Sequence, residues 1–528
     1  MAEQNGTHGF LDTVGRAFMA RRLRNHRVRA AAVRELKAAR TPRLSIVIMV
    51  VGSRGDVQPF IPIGRRLAKL HRVRIATHRE FRPLVEQAGL EFYPLAGDPH
   101  ELMEYMVKTR GRVVPRLDHM VEDVPRKRAL VAEILASTWG ACTEADPDRL
   151  GAPAFRADVI LANPVSFGHI HCAEALHVPL HMIFTMPWSP TSAYPHPFWH
   201  IASGEKHPVQ NFLSYGLMDL LVWSGIGDLV NTFRRDTLHL PPLSLIDGAS
   251  LLDDNEVPFT YLWPASLVPK PPDWGPHIDL ANFTFYEQAD TYEPPRALLD
   301  FLAAGEAPIY VGFGSVAVDD PAAVTRTILA AIEKAGVRAI VSEGWAHLGG
   351  ETPPPNVFLI GDTPHDWLFP RCRAVCHHGG AGTTAAGLRA GLPTVVVPSF
   401  GDQFFWGQVV ANAGAGPEPI PIDRLDSTAL AEAFAICDRP QTREHARALG
   451  ATIRETDGVE LVVQSVCRQL PTDVIRRSND AAALATRPAF YVDWSARPDS
   501  GVVGELRELM TDAAKALQAG LNKLVGRL

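Results

Sequence analysis

Residues 372–403 read CRAVCHHGGAGTTAAGLRAGLPTVVVPSFGDQ, and the fold turns on how that stretch is parsed. Ala374, Val375 and Cys376 form a short apolar run of the kind buried in a parallel sheet. A His-His-Gly-Gly turn follows, then the helix-forming residues 381–390, then the β-branched run TVVV from Thr394. Strand, glycine-rich turn, helix and strand make a βαβ unit, which predicts an α/β fold with a parallel sheet. A zinc reading of Cys372, Cys376, His377 and His378 fails on geometry, because successive strand residues face opposite sides and the ligands could not converge.

Two readings of the turn stay open on the residues alone. One is a tight strand-to-helix connection with no ligand. The other is a phosphate cradle: glycines let backbone amides approach an anion, and the helix N-terminus adds a favourable dipole. In that reading Thr383 and Thr384 cap the helix or donate to phosphate oxygens, and the histidine at the strand end donates too. Asp402 and Gln403 lie just past the second strand, where parallel α/β sheets bind their ligands. A cradle beside a carboxylate and an amide suits a nucleotide-sugar, with Asp402 and Gln403 holding sugar hydroxyls.

Working outward, the same alternation appears twice. Strand-like runs fall at 44–51 (LSIVIMVV), 73–78, 157–163 and 179–184, and again at 308–315, 337–344 and 356–362 before the stretch already quoted. Helical segments lie between them, which predicts two Rossmann-like domains in tandem. Residues 187–300 are rich in Pro and Trp and read as long loops. The expected division is a basic arm at 1–43, an N-terminal domain at 44–285, a linker at 286–306, a C-terminal domain at 307–470 and a helical tail at 471–528.

At 528 residues, two or more cores are expected. The net charge of −6 excludes a nucleic-acid binder by charge, although residues 1–43 carry ten Arg or Lys against three acids. That arm is expected either to pack on its own domain or to touch anionic membrane. Six cysteines, at 142, 172, 372, 376, 437 and 467, are too sparse for a disulfide framework, and the first residues lack the apolar run of a signal peptide. A cytoplasmic protein, with peripheral membrane contact through the arm as a further expectation, is the resulting assignment.

The block HHGGAGTTAAGLRAGLPTVVVPSFGDQFFWG (377–407) resembles the donor signature of family 1 UDP-dependent glycosyltransferases, nearest the sterol 3-beta-glucosyltransferase branch of fungal type. The resemblance extends to GSRGDVQPFIPIGRRLAK (52–69), TMPWSPTSAYPHP (185–197), VGFGS (311–315) and GDTPHDWL (361–368). It implies the GT-B fold, two Rossmann-like domains facing across a cleft, and inverting transfer of glucose from UDP-glucose to a sterol or another lipophilic alcohol. It implies that His378 and the amides of Ala381, Gly382 and Thr383 hold the diphosphate, with Ser315 as a further donor. Thr363 and His365 would meet the uridine, Asp402 and Gln403 the glucose, and Ser53 and Arg54 would reach toward the donor. Asp56 would take the proton of the acceptor hydroxyl; its alternative role is to cap the following helix. Met186, Trp188, Tyr194 and Phe198 are expected to line the acceptor site, the alternative being closure of the domain's own core. Neither a cofactor nor a metal is expected. A terpenoid acceptor, a UDP-sugar epimerase and a non-catalytic sugar-nucleotide or lipid sensor are the competing functions.

Overall fold

The structure is a computed structural model that describes residues 43–98, 123–199, 207–313, 320–343 and 353–470. The basic arm and the helical tail therefore lie outside the described residues, as does Ser315.

Nine of its twelve strands coincide with the β-branched runs of the sequence. The N-terminal sheet consists of β1 (Ser45–Met49), β2 (Arg72–His78), β3 (Glu91–Leu95), β4 (Val159–Ala162), β5 (Leu180–Phe184), β6 (Phe259–Tyr261) and β7 (Ile278–Leu280). It is parallel throughout, in the order β3-β2-β1-β4-β5-β6-β7. The C-terminal sheet has five parallel strands in the order β10-β9-β8-β11-β12: β8 (Ile309–Gly312), β9 (Ala339–Ser342), β10 (Val357–Ile360), β11 (Ala374–His377) and β12 (Thr394–Val396). Both faces of each sheet are covered, as a parallel sheet requires.

Eight helices bear on the site: α1 (Arg54–Val57), α2 (Phe60–Ala68), α3 (Asp123–Thr143), α4 (Pro208–Asp236), α5 (Arg296–Ala303), α6 (Ala381–Arg389), α7 (Gln403–Asn412) and α8 (Gly458–Gln469). Helix α4 corrects the reading of 187–300 as loop. Its Pro208 occupies the first turn, where a missing N–H costs nothing, and no proline follows before Asp236. At 29 residues it is long and apolar enough by composition to cross a membrane, yet Met218, Val230 and Phe233 are buried in the N-terminal domain.

The expected domain boundaries shift in two places. Helix α5 begins inside the supposed linker, and its Leu298 is fully buried with Ile340 and Leu368 of the C-terminal domain. Helix α8 crosses back: Val462 and Val466 pack with Ile46, Ile61 and Leu67 of the N-terminal domain. A polar chain fastens that crossing. His181 and Thr260 are 2.7 Å apart, the Thr260 hydroxyl donates to Ser465 at 2.8 Å, and Ser465 and Arg468 both donate to Asp279. The domains also share apolar surface, since Trp406 of α7 is fully buried about 6.0 Å from the rings of Trp263 and Phe283.

Candidate active site

The carboxyl ends of β1, β10, β11 and β12 open onto one cavity of about 1840 Å³ lined by both domains. A single drug-sized ligand needs roughly 300–1,000 Å³, so this space accommodates two molecules side by side.

The glycine-rich turn is built as a cradle. Gly379 has φ of +93°, and a Cβ there would lie 2.6 Å from Val396 Cγ1 and 2.9 Å from the Gln403 carbonyl oxygen, so no larger residue fits. Its N–H donates to His377 Nδ1 at 3.0 Å. Helix α6 then starts with Ala381, Gly382 and Thr383, whose amides belong to a first turn that has no intrahelical acceptor. Thr384 turns inward, its hydroxyl donating to the Gly380 carbonyl at 3.0 Å, which leaves Thr383 as the hydroxyl of the pair that lines the cavity. His378 lies across Gly380, with its Nε2 2.5 Å from where a Gly380 Cβ would be. Burial, helped by the neighbouring His365, pushes His378 down to about 4, so the imidazole is neutral near pH 7. Cys376 and Ala374 join the apolar cluster on one face of β11, while Cys372 and Val375 join the cluster on the other. Burial raises both thiols, Cys372 to about 12.

Facing the cradle is the loop after β1. Asp56 Oδ2 accepts from the Ser53 N–H at 2.7 Å and the Ser53 hydroxyl at 3.0 Å. Asp56 does not cap α2, whose N-cap is Pro59; it is instead the third residue of α1, closes that helix's first turn through Ser53, and lines the cavity. Gly52 makes room for it. At φ of +137°, a Cβ there would sit 2.4 Å from Asp56 Oδ2. Burial raises the Asp56 carboxyl above its ordinary value, against the Ser53 hydrogen bonds, which lower it.

Asp402 approaches from the other domain. Its Oδ2 accepts from the Trp406 indole at 3.1 Å, and burial together with the negative charge of Asp56 raises it to about 7. The two carboxylates therefore sense each other across the cleft. Gln403 is more constrained than expected: its side-chain oxygen accepts from the N–H groups of Ser399 (2.8 Å) and Phe400 (3.2 Å), so only its NH₂ end remains for a ligand. Thr363 and His365 line the cavity on the loop after β10, Thr363 within 3.2 Å of the Tyr292 hydroxyl and His365 stacked 4.3 Å from Phe369. Arg54 is engaged across the cleft by Asp362 at 2.7 Å, a partner the sequence reading missed.

Beyond Asp56 the cavity turns apolar. Met186, Trp188 and Phe198 line it, held by a loop whose Trp188 and Ser189 amides both donate to the buried Tyr261 hydroxyl at 3.1 and 2.7 Å. Tyr194 does not line it: its ring packs against Phe405 at 5.4 Å and Trp274 at 6.4 Å, and its hydroxyl is buried. Spacing could not forecast that inward orientation. The sequence reading also missed the walls from α3 and α4, and Phe167, a cavity residue held at φ of +52°.

Two Rossmann-like domains facing across a cleft, with a glycine-rich strand-to-helix turn on one side and a buried carboxylate on the other, have the architecture of a GT-B glycosyltransferase. Residues 46–195 match the glycosyltransferase family 28 N-terminal domain, and residues 330–466 match the erythromycin biosynthesis protein CIII-like C-terminal domain. Among solved structures, the glycotransferase of kitacinnamycin superposes with a TM-score of 0.58 at 18% identity, covering 81% of this chain and 100% of that one. The calicheamicin glycosyltransferase CalG4 does so with a TM-score of 0.54 at 15% identity, covering 80% and 97%. At such identities the likeness concerns the fold alone. Sequence relatives are nearer. Sterol 3-beta-glucosyltransferases UGT80A2 and UGT80B1 of Arabidopsis thaliana are 45% and 43% identical, each over 82% of this chain and over 66% and 69% of their own lengths. The sterol 3-beta-glucosyltransferase of Aspergillus oryzae is 38% identical over 81% of this chain and 30% of its own length. This chain belongs to the sterol 3-beta-glucosyltransferase family. It spans about two thirds of the plant relatives and under a third of the fungal one.

Proposed function

We propose that the protein moves glucose from UDP-glucose, with inversion, onto the hydroxyl of a sterol or a similarly flat lipophilic alcohol. The observation that carries this reading is a single cavity lined by Asp56, by Ala381, Gly382 and Thr383 of the glycine-rich turn, and by the apolar Met186, Trp188 and Phe198. Asp56 accepts the proton of the acceptor hydroxyl, whose oxygen attacks C1 of the sugar as UDP leaves. The amides of α6, Thr383 and neutral His378 donate to the departing diphosphate, charge stabilisation that needs no reorganisation at the moment of reaction. We further propose that no metal takes part and that the protein works in a reducing compartment, in keeping with six unpaired cysteines. The acceptor assignment rests on the names of the relatives and on the apolar chamber, which a UDP-sugar epimerase has no need of.

The test is incubation of the purified chain with UDP-glucose and a panel of sterols, terpenoid alcohols and small phenols, with and without EDTA, read by mass spectrometry. A steroid 3β-glucoside formed equally in EDTA is expected. Glucosylation confined to small phenols would sink the acceptor assignment, and activity abolished by EDTA would sink the metal-free mechanism.

Asp402 gives a second expectation. Replacement by Ala should raise the KM for UDP-glucose by about one to two powers of ten, because a hydrogen bond to a charged group contributes roughly 1.5–3 kcal/mol. Free UDP, which lacks the hexose, should bind unchanged. With its carboxyl near 7, wild-type donor KM should vary between about pH 6 and 8. In Asp56→Asn the midpoint should move down, since the negative neighbour is gone. Equal loss of UDP and UDP-glucose affinity in the Ala variant would show that Asp402 only shapes the loop.

A further inference from the structure

We propose that Gly225 of α4 sets the length of acceptor tail the enzyme accepts, so that the α3–α4 end of the cavity selects alcohols carrying a long aliphatic chain opposite the reacting hydroxyl. The proposal rests on the acceptor reading above and extends it to the far end of the same chamber.

The chamber has a near end and a far end. Phe198 marks the near one: a Cβ on Gly401, next to Asp402, would lie 3.1 Å from the Phe198 ring, so this ring meets the sugar-side loop. From Phe198 the aromatic lining continues to Trp188 (6.2 Å) and Phe184 (5.5 Å beyond). The far end is made by two helices of the N-terminal domain. Val131 and Ile134 come from α3, and Leu221, Val222 and Ile226 from α4, with Phe167 between the helices and the sheet. All six are apolar, so this wall offers an aliphatic group contact surface and gives a second hydroxyl no side-chain partner among them. These two helices are bound to each other, since Arg128 of α3 donates to the Gly225 carbonyl and pairs with Asp228 one turn on.

In that wall one position is vacant. Helical spacing places residues 221, 222, 225 and 226 on one stripe, and all four line the cavity. Three are Leu, Val and Ile, and the fourth is Gly225. A Cβ built on it meets nothing within 4 Å among the described residues. Glycine in a helix interior is unfavourable relative to alanine, and α4 needs no positive φ here. The residue thus adds depth to the chamber where any side chain would shorten it. In this proposal the acceptor's ring hydroxyl lies at Asp56 and its opposite end at this gap; Asp56 and Gly225 line the same cavity.

The experiment compares cholesterol with dehydroepiandrosterone, which has the same 3β-hydroxyl but no aliphatic side chain. Gly225→Leu and Gly225→Phe are made, with Gly216→Phe as control: Gly216 lies on α4, is equally open, and is absent from the cavity wall. The Gly225 variants should lose about tenfold or more in kcat/KM for cholesterol, chiefly through KM, while dehydroepiandrosterone stays within about twofold. Donor KM should not move, and Gly216→Phe should match wild type on both steroids. Equal effects on both steroids, no effect on either, or the same loss in Gly216→Phe would overturn the proposal. If one Gly225 variant fails to fold, judged by its melting temperature, the other decides. Wild-type protein that glucosylates neither steroid would refute the acceptor reading itself, a result distinct from a wild type that uses both and variants that do not discriminate.

Discussion

Asp56→Asn is expected to lower turnover at least about 100-fold while leaving the fold and UDP affinity intact. The magnitude is that of removing a general base, about 10²–10⁴. The substitution is a fair test because of the hydrogen bonds around Asp56. One carboxylate oxygen accepts both the N–H and the hydroxyl of Ser53, and the amide oxygen of Asn can take over both, so α1 keeps its first turn. What Asn cannot do is hold a proton. The pH profile gives an independent check. Burial raises Asp56, and the base must be ionised, so kcat/KM should fall as pH drops through a value above the ordinary 3.8. A variant that turns over near the wild-type rate would remove Asp56 from the chemistry and leave it a capping residue. One that loses melting temperature and activity together would leave the base unassigned, and Asp56→Glu, which restores a carboxylate, would then decide between them.

The sequence made the sheets legible where strands were β-branched runs and hid them where local rules were broken. Strand β3, EFYPL, carries Pro94 in its interior; an edge position tolerates that, and the topology places β3 at the edge. Strands β6 and β7 are three residues each and sit among prolines 258, 264 and 276. Helix α4 was lost because its Pro- and Trp-rich flanks coloured the whole segment. At the site, the motif placed His378, Ala381, Gly382 and Thr383 in one turn lining the cavity, since a βαβ turn is local. It could not reveal that Asp56 and Asp402 lie near enough to influence one another's charge, nor that Arg54 meets Asp362, because each pair joins residues of different domains far apart in sequence. Nor could it say which way an aromatic points. Trp188 and Tyr194 looked alike in sequence, and the hydrogen bonds to Tyr261 turn the first toward the cavity while Trp274 and Phe405 enclose the second.

His378→Ala should carry the largest effect on the donor side, a loss of about one to two powers of ten in affinity for both UDP and UDP-glucose, with acceptor KM unchanged. Loss for both ligands distinguishes it from Asp402, which should be felt only when the hexose is present. The imidazole's own titration makes the assignment sharper. In the free protein burial and His365 hold His378 at about 4, so it is neutral. A diphosphate placed against it favours the charged form and raises that value. Binding of UDP between about pH 5 and 6 should therefore draw a proton from solution, and affinity should strengthen as pH falls through that range. Calorimetry in buffers of different ionisation enthalpy reads the uptake directly. In His378→Ala the uptake should vanish and the pH dependence flatten, whereas Thr383→Ala should weaken UDP modestly and keep the uptake. Uptake that survives in His378→Ala would place the titrating group elsewhere, with His365, on the neighbouring loop and also held at about 4, as the next residue to replace.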